Sequence, residues 1–96
     1  MTIISDYSIV KNIINDDVLV KRDGKLELKG MATSSVTVEY GGTLILRGTV
    51  NGKVINRGGN IEIYGMVLND VINHIENQGN IYIDPDAVIK GDILDS

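Results

Sequence analysis

Two consecutive lines of sequence decide the fold: residues 41–57, GGTLILRGTVNGKVINR, and residues 58–74, GGNIEIYGMVLNDVINH. Laid one under the other at an offset of 17 residues, both read Gly-Gly-x-apolar-x-apolar-x-Gly-x-Val-x-x-x-Val-Ile-Asn. A repeat of this period is one supersecondary unit that cannot bury its apolar side alone, so it must stack on copies of itself. The sequence therefore predicts a solenoid.

Each line contains three short stretches in which apolar residues alternate with others, the pattern of strands that bury one face. Such short stretches with glycine corners leave no room for crossover helices, and the period places each strand on its own copy one lap later. We predict an all-β fold, a small three-sided parallel β-helix with about 17–20 residues per coil. The predicted columns are Leu26/Leu28, Leu44/Leu46, Ile61/Ile63 and Ile81/Ile83; Met31 or Ala32, Val50, Val67 and Val88; and Val18, Val36, Val54 and Val71 or Ile72.

The two ends of the pattern are less regular than its middle. Residues 1–17 are expected to form an N-terminal cap, either a short helix, from the spacing of Ile9, Val10, Ile13 and Ile14, or an irregular first coil. Regular coils are expected over residues 18–94 of a single domain, 1–96, with a bulge or small loop near 73–78. Pro85 is expected at a corner, because proline cannot donate to a strand ladder.

Composition and charge limit the function. The chain has 13 acidic residues against nine Lys and Arg, a net charge of −4, which argues against nucleic-acid binding and against anionic membrane surfaces. No apolar run is long enough to span a bilayer, and the first residues lack the basic region of a signal peptide. The absence of cysteine excludes thiolate metal sites and fits a reducing compartment. We therefore expect a cytoplasmic protein.

Two stretches resemble the bactofilin (polymer-forming cytoskeletal) family. They are residues 48–54, GTVNGKV, and residues 81–93, IYIDPDAVIKGDI, within a similarity of coil rhythm over about residues 41–93. The resemblance implies a right-handed β-helix that polymerises end to end without nucleotide.

No catalytic, cofactor or metal site is predicted. His74 is the single histidine, and a catalytic role would need Asp70 or Glu76 as its partner. The acidic pairs lack the six or so converging oxygens of a hard-cation site. The Gly-Gly pairs are interpreted as corners with positive φ, and Asn56 with Asn73 or Asn77 as a stacked pair of amides.

The outward positions of the first strand of each coil give the candidate binding face. One predicted row reads Glu27, Ile45, Glu62, Tyr82, and the row beside it reads Lys29, Arg47, Tyr64, Asp84. Tyrosine and arginine are typical anchors of protein interfaces, whereas cross-strand pairing that only stabilises the sheet is the alternative. The predicted protein-binding residues are Ile45, Arg47, Glu62, Tyr64 and Tyr82.

Two functions are compatible with these features. The first is a non-enzymatic structural or assembly protein, a β-helix that self-associates into a homo-oligomer through an exposed face or an end. The second is a small acidic protein-binding module, for example an inhibitor or immunity protein that docks on one basic partner.

Overall fold

The computed structural model describes residues 1–74 and 79–95. Within these ranges the chain forms sixteen short strands and no helix. In chain order they are β1 (Thr2–Ile4), β2 (Tyr7–Val10), β3 (Ile13–Ile14), β4 (Val18–Val20), β5 (Lys25–Leu28), β6 (Met31–Ala32), β7 (Val36–Glu39), β8 (Thr43–Leu46), β9 (Thr49–Val50), β10 (Val54–Arg57), β11 (Asn60–Ile63), β12 (Met66–Val67), β13 (Val71–Asn73), β14 (Asn80–Ile83), β15 (Val88–Ile89) and β16 (Ile93–Asp95).

Every third strand belongs to the same sheet, and all neighbours are parallel. We call β1-β4-β7-β10-β13-β16 sheet A, β2-β5-β8-β11-β14 sheet B and β3-β6-β9-β12-β15 sheet C. The chain thus makes five laps of three strands each, and β16 begins a sixth. The register places Leu44 between Leu26 and Ile61 on neighbouring rungs. The three-sided parallel β-helix predicted from the repeat is confirmed.

Residues 2–14 form the first lap rather than a helix. Thr2 pairs with Val18, Tyr7 with Lys25 and Ile13 with Met31. Of the two structures expected for residues 1–17, the helical one is wrong and the first coil is right. The reason is that parallel pairing with the first lap gives the three strands of the second lap a neighbour for their backbone groups. A short helix over the end of the stack would leave those groups unpaired.

The core is one column of aliphatic side chains inside the three sheets. The inward residues of the middle laps, such as Leu26, Leu44 and Val54, are fully buried. Of the alternatives left open in two columns, Val71 lies over Val54 and Ala32 pairs with Val50. The prediction of Val88 is wrong, because Ile89 continues the column of Val67. A shift of one residue moves a side chain to the opposite face of a strand, so the register decides each of these positions.

The lap expected to bulge keeps its ladder as far as it is described. Asn73 pairs with Asn56, and the His74 N–H donates to the Asn56 carbonyl at 2.9 Å. The rest of the expected loop, residues 75–78, lies outside the described residues, and Glu76, the possible partner of His74, is among them.

Glycines form the corners for two different reasons. Positive φ was predicted for the Gly-Gly pairs, and the first member of each pair has it: Gly41 at +80° and Gly58 at +101°. The second members, Gly42 and Gly59, do not. Gly48 has no such φ, but a Cβ there would lie 1.9 Å from the carbonyl oxygen of Gly30 on the preceding lap. The corner between sheets B and C is equally tight at Gly30 and Gly65, where a Cβ would lie 1.9 and 2.0 Å from a carbonyl oxygen, so these three laps have no room there for a side chain.

Candidate protein-binding faces

The outer face of sheet B has the predicted residue rows. Ile45 lies between Glu27 and Glu62 on neighbouring rungs, and Glu62 is followed by Tyr82. In the adjacent row, the backbone N–H of Arg47 and of Tyr64 each donates to the preceding lap at 2.8 Å. The five candidate residues Ile45, Arg47, Glu62, Tyr64 and Tyr82 are therefore neighbours on one face.

Aromatic and cationic side chains of this face contact one another along the stack. The Arg47 guanidinium carbon lies 4.9 Å from the centre of the Tyr64 ring. The Tyr64 and Tyr82 rings lie 5.9 Å apart, tilted by 54°. Both distances are within the range of favourable cation–π and aromatic pairs.

The two glutamates of the face bind hydroxyl and guanidinium groups. The Tyr64 hydroxyl donates to Glu62 Oε1 at 2.6 Å, and this hydrogen bond is the main cause that raises the pKa of Tyr64. Glu27 accepts from Arg47 Nε at 3.2 Å and from the Tyr7 hydroxyl at 3.1 Å. These contacts support the alternative interpretation, in which cross-strand pairs stabilise the sheet; the binding role stays a prediction.

Sheet A carries a more apolar outer face, which the sequence analysis missed. Its central outward positions form one row along all six strands, and five of its six members are aliphatic: Ile3, Leu19, Thr37, Ile55, Ile72 and Leu94. We call this row the apolar stripe. Ile3 and Leu94 are 53% and 42% exposed, and the four residues between them are half-buried.

The signal for the apolar stripe was present in the repeat. Val54-Ile55 and Val71-Ile72 are consecutive aliphatic residues in strands that elsewhere alternate. A strand with one solvated face alternates apolar and polar residues, whereas consecutive branched aliphatics are typical of strands covered on both faces. The predicted columns give Ile72 only as a core alternative to Val71 and assign Ile55 to no row, so the outward row that contains both was overlooked.

The two ends of the stack leave core positions partly open. The inward residues Ile81, Ile83 and Ile89 of the last lap are half-buried, although their equivalents two laps earlier are fully buried. Ile93, the first inward residue of the sixth lap, is 57% exposed. At the other end Val10 and Ile14 are half-buried in the same way.

Charge is distributed unevenly between these ends. In the last 34 described residues, 58–74 and 79–95, six acidic residues face one lysine: Glu62, Asp70, Asp84, Asp86, Asp92, Asp95 and Lys90. In the first two laps, residues 1–35, five basic residues balance five acidic ones. The C-terminal end of the stack is therefore acidic and the N-terminal end is close to neutral.

The described residues contain no cluster of His, Asp and Glu that could hold a metal ion and no helix long and apolar enough to cross a membrane. A shallow depression of about 720 Å³ lies at the corner between sheets B and C, where Lys11 and Lys29 flank the side chains of Ile13 and Met31.

Comparison of the chain with protein-family models, with curated proteins and with solved structures gave no match. The structure supports the parallel β-solenoid, and the similarity to bactofilins rests on the rhythm of the sequence alone.

Proposed function

We propose that this protein is a non-enzymatic assembly protein whose solenoids stack end to end. The observation that carries the proposal is the open core at both ends. Ile93 is 57% exposed and Ile83 and Ile89 are half-buried at the C-terminal end. Val10 and Ile14 are half-buried at the N-terminal end, whereas the inward apolar residues of the middle laps are fully buried. A further lap of the same cross-section would cover these side chains and pair the terminal strands, as each lap does for the one before it.

The strand edges add a second argument. Parallel strands at both ends of the three sheets have one side without a neighbour among the described strands. Such an edge is a template for another chain. Because every lap of the solenoid has the same three sides, the end of a second copy presents strands in the arrangement that these edges can accept.

The charges favour a polar, head-to-tail arrangement. Two C-terminal ends would bring together two groups of four aspartates, whereas a C-terminal end against a nearly neutral N-terminal end avoids this repulsion. A head-to-tail contact uses two different surfaces, so it can repeat without closing and produces a filament. The bactofilin-like rhythm of residues 41–93 is consistent with this mode of assembly.

Sedimentation velocity over a range of protein concentrations, with negative-stain microscopy, tests the proposal. The wild-type protein should form rods that lengthen with concentration, and Ile93→Asp should shorten them by placing a charge on the open end. Leu68→Asp is the matched control, because Leu68 is 40% exposed but lies on the fourth lap, away from both ends. A wild-type protein that stays a 10.4 kDa particle at all concentrations would overturn the proposal.

The predicted face on sheet B gives a second route to self-association. Replacing Ile45 and Tyr64 together by serine should weaken association if this face is an interface. Unchanged sedimentation of that double variant would instead assign Arg47, Glu62 and Tyr82 to stabilisation of their own sheet.

One observation favours the alternative function of a protein-binding module. The aspartates gathered at the C-terminal end form an acidic surface that a basic protein partner would complement. In that case the purified chain would remain monomeric and would bind the partner in a salt-dependent manner. The expected cytoplasmic location and the absence of nucleic-acid and membrane partners stay predictions under both functions.

A further inference from the structure

We propose that the apolar stripe of sheet A is a lateral interface that joins two copies of this chain side by side. Lateral pairing is a second contact beyond end-to-end stacking and does not require it. The stripe runs parallel to the solenoid axis, whereas the open ends are perpendicular to that axis. The occupant of the face is a second copy of the same sheet.

The outer face of sheet A differs in kind from that of sheet B. On sheet B, charged and aromatic side chains bind one another, so the solvated face satisfies its own groups. The stripe residues Leu19, Ile55 and Ile72 have no polar group to satisfy, and each lies beside another stripe residue one rung away. Parallel sheets are in general covered on both faces, and all the described strands belong to the three walls, so none covers this one.

The spacing of the stripe favours a second copy over an unrelated partner. Its side chains repeat at the rung separation of a parallel sheet, about 4.8 Å. Only a surface with the same repeat can place a side chain between each pair of rungs along the whole length, as paired sheets do in stacked-strand assemblies. A second sheet A offers that repeat over the same six rungs.

The size of the face is sufficient for a weak dimer. Six rungs span roughly 25 Å, and the stripe with its two flanking columns is about 20 Å wide, using strand dimensions of about 4.8 Å by 3.3 Å per residue. Pairing would bury roughly 500 Å² on each copy, about 1,000 Å² in total, which is near the lower limit for a specific interface. Interfaces at this lower limit are mostly weak and transient, so we expect a dissociation constant on the order of 1–100 µM.

The charges beside the stripe permit self-pairing of an acidic protein. The two flanking columns carry three basic and four acidic residues, so they are nearly neutral although the whole chain has a net charge of −4: Lys21, Lys53, Arg57, Asp17, Glu39, Asp70 and Asp92. Two such faces repel each other less than two C-terminal ends would. Mixed charges around an apolar centre are also the usual surroundings of an interface core.

Cross-linking of introduced thiols gives the most direct test, since the natural chain has no cysteine. Thr37→Cys places a thiol at the centre of the stripe, and Asn51→Cys places one at an exposed corner on the same lap, outside the outward rows of the three sheets. With a short bismaleimide, Thr37→Cys should form covalent dimers at protein concentrations above about 100 µM, the upper estimate for the dissociation constant, and Asn51→Cys should not. Equal dimer yields for the two variants would overturn the proposal.

A charge in the stripe gives the second test. Ile55→Lys should weaken lateral association at least tenfold in sedimentation equilibrium, while Leu68→Lys, at an exposed corner position of the same lap, should leave it unchanged. An unchanged association constant for Ile55→Lys, or a wild-type chain that is monomeric because the stripe takes a different protein, would contradict the inference.

Microscopy separates this proposal from end-to-end stacking. The solenoid measures 31 × 27 × 21 Å, so a single row of stacked copies is about one solenoid wide and a laterally paired row is about twice as wide. Rods of single width would refute lateral pairing while supporting stacking, and discrete dimers that never lengthen would refute stacking while supporting the stripe.

Discussion

Asn56 is the one buried polar side chain of the described core, and its replacement gives a sharp test of how the stack is held together. Its Oδ1 accepts the Gly59 N–H at 2.8 Å, and its Nδ2 donates to the Gly59 carbonyl at 3.1 Å. A longer contact of 3.4 Å reaches the Asn73 Oδ1 on the next lap. The amide therefore fixes the corner between sheets A and B and links two laps.

The cost of Asn56→Ala can be worked from these bonds. The buried N–H of Gly59 loses its acceptor, at about 1–3 kcal/mol, and the lost donor bond adds about 1 kcal/mol. We expect the free energy of unfolding to fall by about 2–4 kcal/mol, a large share of the roughly 5–15 kcal/mol of a typical domain. Asn73→Ala is the control, since Asn73 is only half-buried, and it should cost less than about 1 kcal/mol.

Asn56→Asp adds a dependence on pH. A neutral carboxyl group can accept from the Gly59 N–H and donate to its carbonyl, whereas a carboxylate cannot donate and is buried with its charge. Burial thus raises the pKa of the introduced carboxyl above its unfolded value, so the variant is closest to wild type at low pH and becomes relatively less stable as pH rises through its folded pKa. Urea denaturation at several pH values measures both effects, and a pH-independent cost of Asn56→Asp or a cost of Asn56→Ala below about 1 kcal/mol would refute the reasoning.

Three further outcomes are expected. Gly48→Ala should destabilise the fold by several kcal/mol in urea denaturation, because its Cβ would lie 1.9 Å from the carbonyl oxygen of Gly30. Hydrogen bonds from the next lap lower the pKa of Asp17. The ionised carboxylate should therefore contribute fully to the free energy of unfolding above pH 3.8, its ordinary pKa, and lose that contribution as pH falls through the lowered pKa. Asp17→Asn should remove this contribution to acid sensitivity. The hydrogen bond to Glu62 raises the pKa of Tyr64, so Glu62→Gln should lower the pKa of this phenol in an absorbance titration against wild type.

The interior of the solenoid could be predicted from sequence because each lap is the environment of the next. Leu44 is buried by Leu26 and Ile61, and all three occupy equivalent positions of the repeat. Periodicity therefore contains the packing information directly. The first lap was harder, because Ile9, Val10, Ile13 and Ile14 have a spacing that fits both one helical turn and two strands around a corner. Pairing with the second lap, which lies outside that local pattern, decides between them.

The outer faces could be predicted only in part. The rows of sheet B followed from register once the strands were known, and the contact of Arg47 with Tyr64 followed from their adjacency. The stripe on sheet A was missed because a Val-Ile pair can fill the core with either residue. The inward position of Val54 was predicted, but only the register shows that Val71 rather than Ile72 points inward with it. A shift of one residue exchanges the two faces, so the identity of the exposed face depends on a detail that composition does not contain.

The contrast between sheets A and B bears on what covers the solenoid. Side chains on a solvated sheet gain stability from their neighbours one rung away, as the Arg47–Glu27 ion pair and the Tyr64–Glu62 hydrogen bond show. An aliphatic row also gains from its neighbours, but it leaves apolar area in water that costs roughly 25 cal/mol per Å² relative to burial. Both sheets have the same rung spacing and the same strand direction, so backbone geometry cannot explain why one outer face is polar and the other is not. The difference lies in the outward side chains themselves, and the lateral pairing proposed above gives a reason for the aliphatic row on sheet A.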